Sequence, residues 1–356
     1  MLLVIVVTGG AGFIGSEFVR QWIAEESSQL VNIDKLTYSG NLENLASVSG
    51  NSRHHFVQAD IADQAVIEHL LHEHQPRAII HFAAESHVDR SIHAPADFIQ
   101  TNIDGTFRLL EAVRAWRAAA PKEFKFVHIS TDEVFGSLPL KAAAISEAAA
   151  YAPGNPYAAS KAAADHLVRA YIRTYDLPAV IVHCCNNYGP FQFPEKLIPL
   201  MIARGLAGES MPIYGDGLHE RDWLHVSDAV RAIRLVLAGG RIGESYNIAA
   251  GHPCSNLQVV GMLCDLLDEL RPQSPFKPHR QLIKHVAERP GHDRRYALNA
   301  DKIARELGWQ PQVSLLDGLR QTFEWYLGNK AWLENVVSGR YRQWIADNYG
   351  WRNKRS

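Results

Sequence analysis

Thr131, Asp132 and Glu133 follow directly on the apolar run that holds Phe126, Val127 and Ile129. That run reads as a short buried strand, so the three side chains emerge at its C-terminal end, where open α/β sheets bind ligands. Two adjacent carboxyl groups in a partly enclosed cleft repel each other and lose hydration, which suits one to donate and the other to accept a proton. Further along, Tyr157 and Lys161 stand at i and i+4 behind Pro156, on one face of a helix whose first turn tolerates the proline. An ammonium beside a phenol favours the phenolate, so Tyr157 is expected to titrate low enough to take a hydroxyl proton while hydride leaves the same carbon for an acceptor. Lys161 is also placed to hold a hydroxyl of that acceptor. Alone, Tyr-x-x-x-Lys is common on solvated helix faces; its weight here comes from what precedes it.

What precedes it is a glycine loop. Gly10, Gly12 and Gly15 fit G-x-G-x-x-G, and Gly9, Gly12 and Gly15 fit a related pattern behind Thr8. The loop follows a strand, opens a helix, and is answered by Asp34 at the end of the next strand, 19 residues after Gly15. Glycine lets the backbone approach a pyrophosphate, and the helix N-terminus supplies amide donors and partial positive charge. Asp34 would accept from the adenosine ribose hydroxyls and repel a 2′-phosphate, which favours NAD over NADP; Lys35 pulls slightly the other way. Asp60 and Ile61 end the third strand, where an adenine could lie, and "AAESH" (83–87) follows the fourth with two alanines that permit close approach.

These residues need a scaffold, and the sequence outlines one. Strand-like runs "LVIVV", "LVNID", "HHFVQAD", "AIIHFAA", "FKFVHIS" and "AVIVHCC" alternate with helical stretches near 64–74, 98–118 and 156–175. Apolar strands alternating with helices describe an α/β fold, a Rossmann-type doubly wound parallel sheet. After residue 190 the chain is richer in proline and aromatics and reads as a smaller, mostly C-terminal substrate-binding lobe over 191–330. Within it "ESYNIA" is a candidate to rejoin the main sheet. Residues 331–356 form a tail with Trp332, Trp344 and Trp351, for which packing against the body is the expectation.

The bulk numbers set bounds. The 356 residues carry a net charge of only -2 with acids and bases interspersed, unlike a general nucleic-acid binder. Cys184, Cys185, Cys254 and Cys264 lack C-x-x-C spacing and read as unbridged thiols of a reducing, cytoplasmic compartment. The opening "MLLVIVV" has no basic flank and is too short to cross a bilayer, so no membrane role is expected.

The glycine pattern, the strand-end Thr131 and Tyr157-x-x-x-Lys161 resemble the extended short-chain dehydrogenase/reductase superfamily. "STDEVFG", "NNYGPFQFPEKLIP", "YGDGLHERDWLHV" and "ERPGHDRRY" are together similar to the dTDP-glucose 4,6-dehydratase family within it, over residues 1 to about 330. The resemblance implies that Tyr157 takes the C4 hydroxyl proton while NAD takes the C4 hydride, with Thr131 at the C4 oxygen. Glu133 would then remove the C5 proton and Asp132 protonate the departing C6 hydroxyl, after which hydride returns to C6. Elimination of water across two neighbouring carbons needs such an adjacent acid and base. NAD contacts are implied for Phe13, Ile14, Asp34, Lys35, Leu36, Thr37, Asp60, Ile61, Ala83, Ala84, Glu85, Ser86, Thr101 and Asn187. Sugar-nucleotide contacts are implied for His87, Asn186, Glu195, Lys196, Leu197, Pro212, Tyr214, Arg221, Asn256, Arg289, His292 and Tyr296; a metal is not. A homodimer is implied through the helices near 98–118 and 156–175, with Leu167 and Tyr171 facing the partner. Phe135, Ala229 and Ala249-Ala250 depart from the family pattern without touching a catalytic group. A 4-epimerase needs no C5 base or C6 acid. UDP-glucose or GDP-mannose dehydratases, and a non-catalytic NAD(H) sensor, stay open on chemistry alone.

Overall fold

A computed structural model describes residues 4–118 and 123–337. Its first half builds β1 (Val4–Thr8), α1 (Phe13–Glu25), β2 (Gln29–Asp34), β3 (His54–Gln58), α2 (Gln64–His74) and β4 (Ala78–His81). There follow α3 (Val88–His93), α4 (Pro95–Phe98), a π-helical turn over Ile99–Gly105, α5 (Thr106–Arg117), β5 (Lys125–Thr131), α6 (Pro156–Tyr175) and β6 (Ala179–Cys184). The second half adds β7 (Asn186–Tyr188), α7 (Leu197–Ala207), β8 (Met211–Tyr214), β9 (Glu220–Arg221), β10 (Trp223–His225), α8 (Val226–Gly239) and β11 (Ser245–Ile248). It closes with β12 (Cys254–Ser255), α9 (Asn256–Leu270), β13 (Ile283–Val286), α10 (Asp301–Leu307), α11 (Leu315–Gly328) and α12 (Lys330–Val337).

Seven parallel strands form the main sheet in the order β11-β6-β5-β4-β1-β2-β3. β1, β4, β6 and β11 are buried along their whole length, as a sheet covered on both faces requires. Phe18 and Trp22 of α1 and Ile233 of α8 pack on one face. Leu70 of α2, Trp116 of α5 and Val168 of α6 pack on the other. The strand order reverses between β1 and β4, which opens a crevice at their C-terminal ends. "ESYNIA" does rejoin the sheet, because β11 pairs with β6 as the edge strand. The rest of the second half forms three two-stranded sheets and a core of α7, α9 and α11 around Met201, Leu263 and Phe323.

The helical stretch near 98–118 is present as α4, the π turn and α5, with Asn102 in the wide turn bonding Glu85 N and O at 2.8 and 3.0 Å. One expectation is corrected. Tyr171 does not face outward; it is buried in the core under α6 with its hydroxyl on Glu111, and Leu167 packs half-buried against the same core.

The start of the tail is tied down through Trp332, which is 6% exposed and donates from Nε1 to Asn44 Oδ1 at 2.9 Å. Asn44 in turn donates to the Ala11 carbonyl in the glycine loop at 3.0 Å. Trp344 and Trp351 lie outside the described residues. Trp332→Ala should cost about 3–5 kcal/mol in urea unfolding, through the lost packing and the orphaned Asn44.

Candidate active site

The turn from β1 into α1 depends on absent side chains. Gly9 holds φ at +74, and a Cβ there would stand 2.5 Å from Ala83 N. A Cβ at Gly15 would stand 2.2 Å from the Gly9 carbonyl oxygen. Gly12 is the N-cap of α1 and no side chain caps it, which leaves the first-turn amides to an anion. Asp34 accepts from Ala11 N at 3.0 Å and Leu36 N at 2.8 Å, so its carboxylate clamps the glycine loop to the segment after β2. Burial raises the Asp34 carboxyl, and these two amides oppose the shift. Lys35 Nζ reaches Asp60 Oδ2 at 3.3 Å and Thr101 Oγ1 at 3.4 Å.

At the end of β5, Thr131 caps a 3-10 turn over Asp132–Phe135, accepting from Glu133 N and donating to Asp132 Oδ1 at 3.2 Å. Asp132 is 3% exposed, and its Oδ2 has no hydrogen-bond partner among the described residues. Burial, then the Glu133 charge, pushes its carboxyl up to about 8, with Arg221 opposing. Glu133 accepts from Asn155 Nδ2 at 3.2 Å and Tyr296 OH at 3.4 Å. Asn155 also caps α6, accepting from Ala158 N at 2.9 Å, so one side chain fixes both the helix start and a carboxylate of the site. α6 then presents Tyr157 and Lys161, both buried, toward β5, and Lys161 Nζ donates to the Ile129 carbonyl at 2.7 Å.

A cavity of about 280 Å³ runs from the glycine loop to these groups. Gly9, Gly12, Phe13, Ile14, Gly15, Asp34, Lys35, Thr37, Asp60, Ile61, Ala83 to Ser86, Thr101 and Asn187 line it, together with Thr131, Asp132, Glu133, Tyr157 and Lys161. Gly10 and Leu36 do not line it, contrary to expectation. Gly10 faces the Asn32 side chain, where a Cβ would stand 2.1 Å from Oδ1, and Leu36 packs against the core. A second cavity of about 170 Å³ adjoins the first at Glu133, Asn186, Asn187, Gln192, Glu195 and Lys196. His87, Leu197, Pro212, Tyr214, Arg221, Asn256, Arg289, His292 and Tyr296 line its remainder.

Two buried guanidinium groups bring positive charge to the second cavity, beside the carboxyl groups of Asp89, Glu133 and Glu195. Arg221 is buried, held by the Glu220 and Asp293 carbonyls at 2.7 and 2.8 Å, and lies 4.3 Å over the Tyr296 ring. Arg289 is pinned by Asp89 at 3.1 Å, and Asp89 also accepts from Tyr214 OH. His292 stacks on His219 at 3.6 Å and contacts Glu288 at 2.6 Å. Burial, then Arg289 and Arg221, keeps its imidazole far below the usual range and therefore neutral. His219, Glu288 and His292 are spaced closely enough to offer three metal ligands. The guanidinium groups around them favour an anion over a cation.

A family model for GDP-mannose 4,6 dehydratase matches residues 6–322. The chain is 54% identical to a dTDP-glucose 4,6-dehydratase of Shigella flexneri, covering 97% of this chain and 98% of that one. It is 52% identical to dTDP-glucose 4,6-dehydratase 1 of Escherichia coli strain K12, with the same coverage. The crystal structure of the dTDP-glucose 4,6-dehydratase DesIV from Streptomyces venezuelae superposes with a TM-score of 0.87 at 45% identity, covering 94% of this chain and 100% of that one. The chain belongs to the dTDP-glucose 4,6-dehydratase family.

Within this dehydratase site one electrostatic expectation is reversed. Burial, then Glu133, pushes the Tyr157 phenol well above its ordinary range, with the Thr131 hydroxyl opposing. Lys161 does not outweigh this; its ammonium donates to the Ile129 carbonyl, and burial lowers it to about 8. Asn155 and Asn102 were not singled out from the sequence. Asn155 had a signal, an asparagine directly before Pro156 at a helix start. Asn102 had none, because its partners Glu85 and Ser160 are distant in the chain.

Because Asp132 is raised in the fold, its contribution to stability is full below about pH 4 and lost as pH rises through about 8. Asp132→Asn removes that dependence. The variant should match wild type near pH 4 and exceed it, by on the order of a few kcal/mol, near pH 9 in denaturant titrations.

Proposed function

We propose that this chain converts dTDP-glucose to dTDP-4-keto-6-deoxyglucose and water with NAD as its cofactor. The observation that carries the reading is the pair Asp132–Glu133, one carboxyl buried and raised, in the cavity that Tyr157 lines and with Glu133 at its junction with the second. The glycine cradle and uncapped start of α1 fit a pyrophosphate, with Asp34 toward the adenosine ribose. Bound there, NAD supplies the hydride acceptor at C4 and the donor at C6. Arg221 and Arg289 hold the sugar-nucleotide diphosphate by their planar forks. Thr131 positions the C4 oxygen and Tyr157 removes its proton, with Lys161 ammonium stabilising the phenolate. The 4-ketone acidifies C5; Glu133 takes that proton and Asp132 delivers one to the C6 hydroxyl as water leaves. Asp132 enters the step protonated, consistent with its buried, unpaired Oδ2.

Purified protein incubated with dTDP-, UDP- and GDP-sugars should produce keto-sugar absorbance in alkali from dTDP-glucose above all. Turnover of only a UDP- or GDP-sugar would reassign the nucleotide, and none at all would return the chain to a binding role. Asp132→Asn should still exchange the C5 hydrogen with deuterated solvent but lose water far more slowly. Glu133→Gln should suppress exchange while C4 oxidation persists. Normal dehydration by the first variant, or rapid exchange by the second, would reverse the two roles.

Two copies are further proposed to pair through α5 and α6. Ile99 and Phe107 lie two turns apart and are 50% and 42% exposed, and Tyr175 at the end of α6 is 51% exposed. Large apolar side chains left exposed on these neighbouring elements fit burial in a twofold contact. Light scattering at micromolar concentration should give twice the chain mass. Phe107→Asp should shift the population to monomer.

A further inference from the structure

α6 carries a buried polar group that the proposed chemistry does not use. Asp165 lies one turn beyond Lys161 on the same helix face, and its side chain is 0% exposed. Its Oδ2 accepts from Ser130 Oγ and Tyr151 OH, both at 2.8 Å, and from His183 at 3.2 Å; Oδ1 lies 3.1 Å from His128 Nε2. Lys161 is bonded to the Ile129 carbonyl and Asp165 to the Ser130 hydroxyl. Ammonium and carboxylate are thus attached to consecutive residues of β5, both buried between the helix and the sheet.

Other titratable and charged groups approach these two from β4, β5, β6 and α6 itself. His128 on β5 is lowered to about 4 by burial, then by Lys161, and His81 on β4 is lowered by burial, so both are neutral. The Cys184 thiol on β6 is pushed up to about 12 by burial, then by Asp132. Arg169, a turn beyond Asp165, donates to Ser245 Oγ and to the Tyr151 hydroxyl that bonds Asp165, each at 3.1 Å. Burial works against the Asp165 charge, but its contacts with His128 and His183 hold the carboxyl well below the usual range.

We propose that Asp165 is a positioning residue, the buried counter-charge that keeps Lys161 protonated beside Tyr157. The proposal rests on Lys161 being the ammonium of the reaction. Without a carboxylate at 165 the ammonium would be an unpaired buried charge, and a buried lysine resolves that by releasing its proton. Asp165 thereby acts on the chemistry from behind the helix, touching neither substrate nor cofactor.

The test reads Lys161 in two ways across roughly pH 5.5 to 9.5. One is the rate of C4 oxidation in a single turnover, a step that does not use Asp132. The other is titration of the Lys161 Nζ resonance by NMR in the absence of substrate. In Asp165→Asn both should shift to lower pH by roughly 1–3 units, with oxidation largely recovered on the acid side. In Lys161→Arg the alkaline limb should vanish, because a guanidinium stays charged, and adding Asp165→Asn should leave the profile unchanged. A loss of rate in Asp165→Asn that is the same at every pH, with an unmoved Nζ titration, overturns the proposal. An alkaline limb that survives Lys161→Arg instead overturns the role of Lys161, a separate failure. If Asp165→Asn does not fold, Asp165→Glu carries the test, since the charge is kept on a longer arm. A limb at the wild-type position then supports the proposal, and a limb moved to lower pH overturns it.

Discussion

Asp132 and Glu133 stand side by side at the end of β5, and a partly enclosed cleft does not readily hold both as charges without help. The solution has three parts. Asp132 is buried with one oxygen unpaired and is held neutral. Glu133 keeps two donors, the Asn155 amide and the Tyr296 hydroxyl. The guanidinium of Arg221 faces them from the second lobe and offsets part of the negative charge. Each part comes from a different segment of the chain, so the acid–base pair exists only when both halves are folded together.

The same constraint shapes α6. Its N-terminus is fixed by Asn155, which also holds Glu133, so the helix cannot shift along its axis without disturbing the carboxylate. Four residues apart along its buried face come Tyr157, Lys161 and Asp165, each bonded or packed against β5 or the loop that follows it. The parallel sheet supplies what the helix needs: a row of strand ends at one level, beside the crevice where the strand order reverses. Placing acid, base, phenol and ammonium on a strand end and a helix gives them fixed geometry at little entropic cost.

On the proposed reading the second lobe contributes recognition rather than scaffold. Its strands have two to four residues, too short to be stable alone, and are held by α7, α9 and α11. What they carry to the cleft is positive charge on rigid mounts. Arg221 is fixed by two backbone carbonyls and Arg289 by Asp89, so little reorganisation remains when a diphosphate arrives. High similarity to dehydratases over nearly the whole chain, set against 31% identity to a UDP-glucose 4-epimerase of Thermotoga maritima on the same fold, fits a shared scaffold.

Much of this was legible in the residues because its signals are local. The glycine spacing, the apolar strands and the i, i+4 pair on α6 are dictated by backbone sterics and helical periodicity, which act over a few residues. The type of fold and the identity of Thr131, Asp132, Glu133, Tyr157 and Lys161 as candidates followed from those alone. Other features depended on partners far along the chain. The break of 98–118 into a π turn follows from Asn102 meeting Glu85, and the burial of Tyr171 from packing across to α5. The upward shift of Tyr157 follows from its burial and from the Glu133 charge that the fold brings beside it. Gly10 and Leu36 matched a pattern whose side facing the cavity only the folded loop decides. The sequence by itself determined which chemical groups are present and on what kind of element; the tertiary structure decided their protonation. Electrostatic energy depends on burial and on distances between segments, and neither quantity is written in the order of residues.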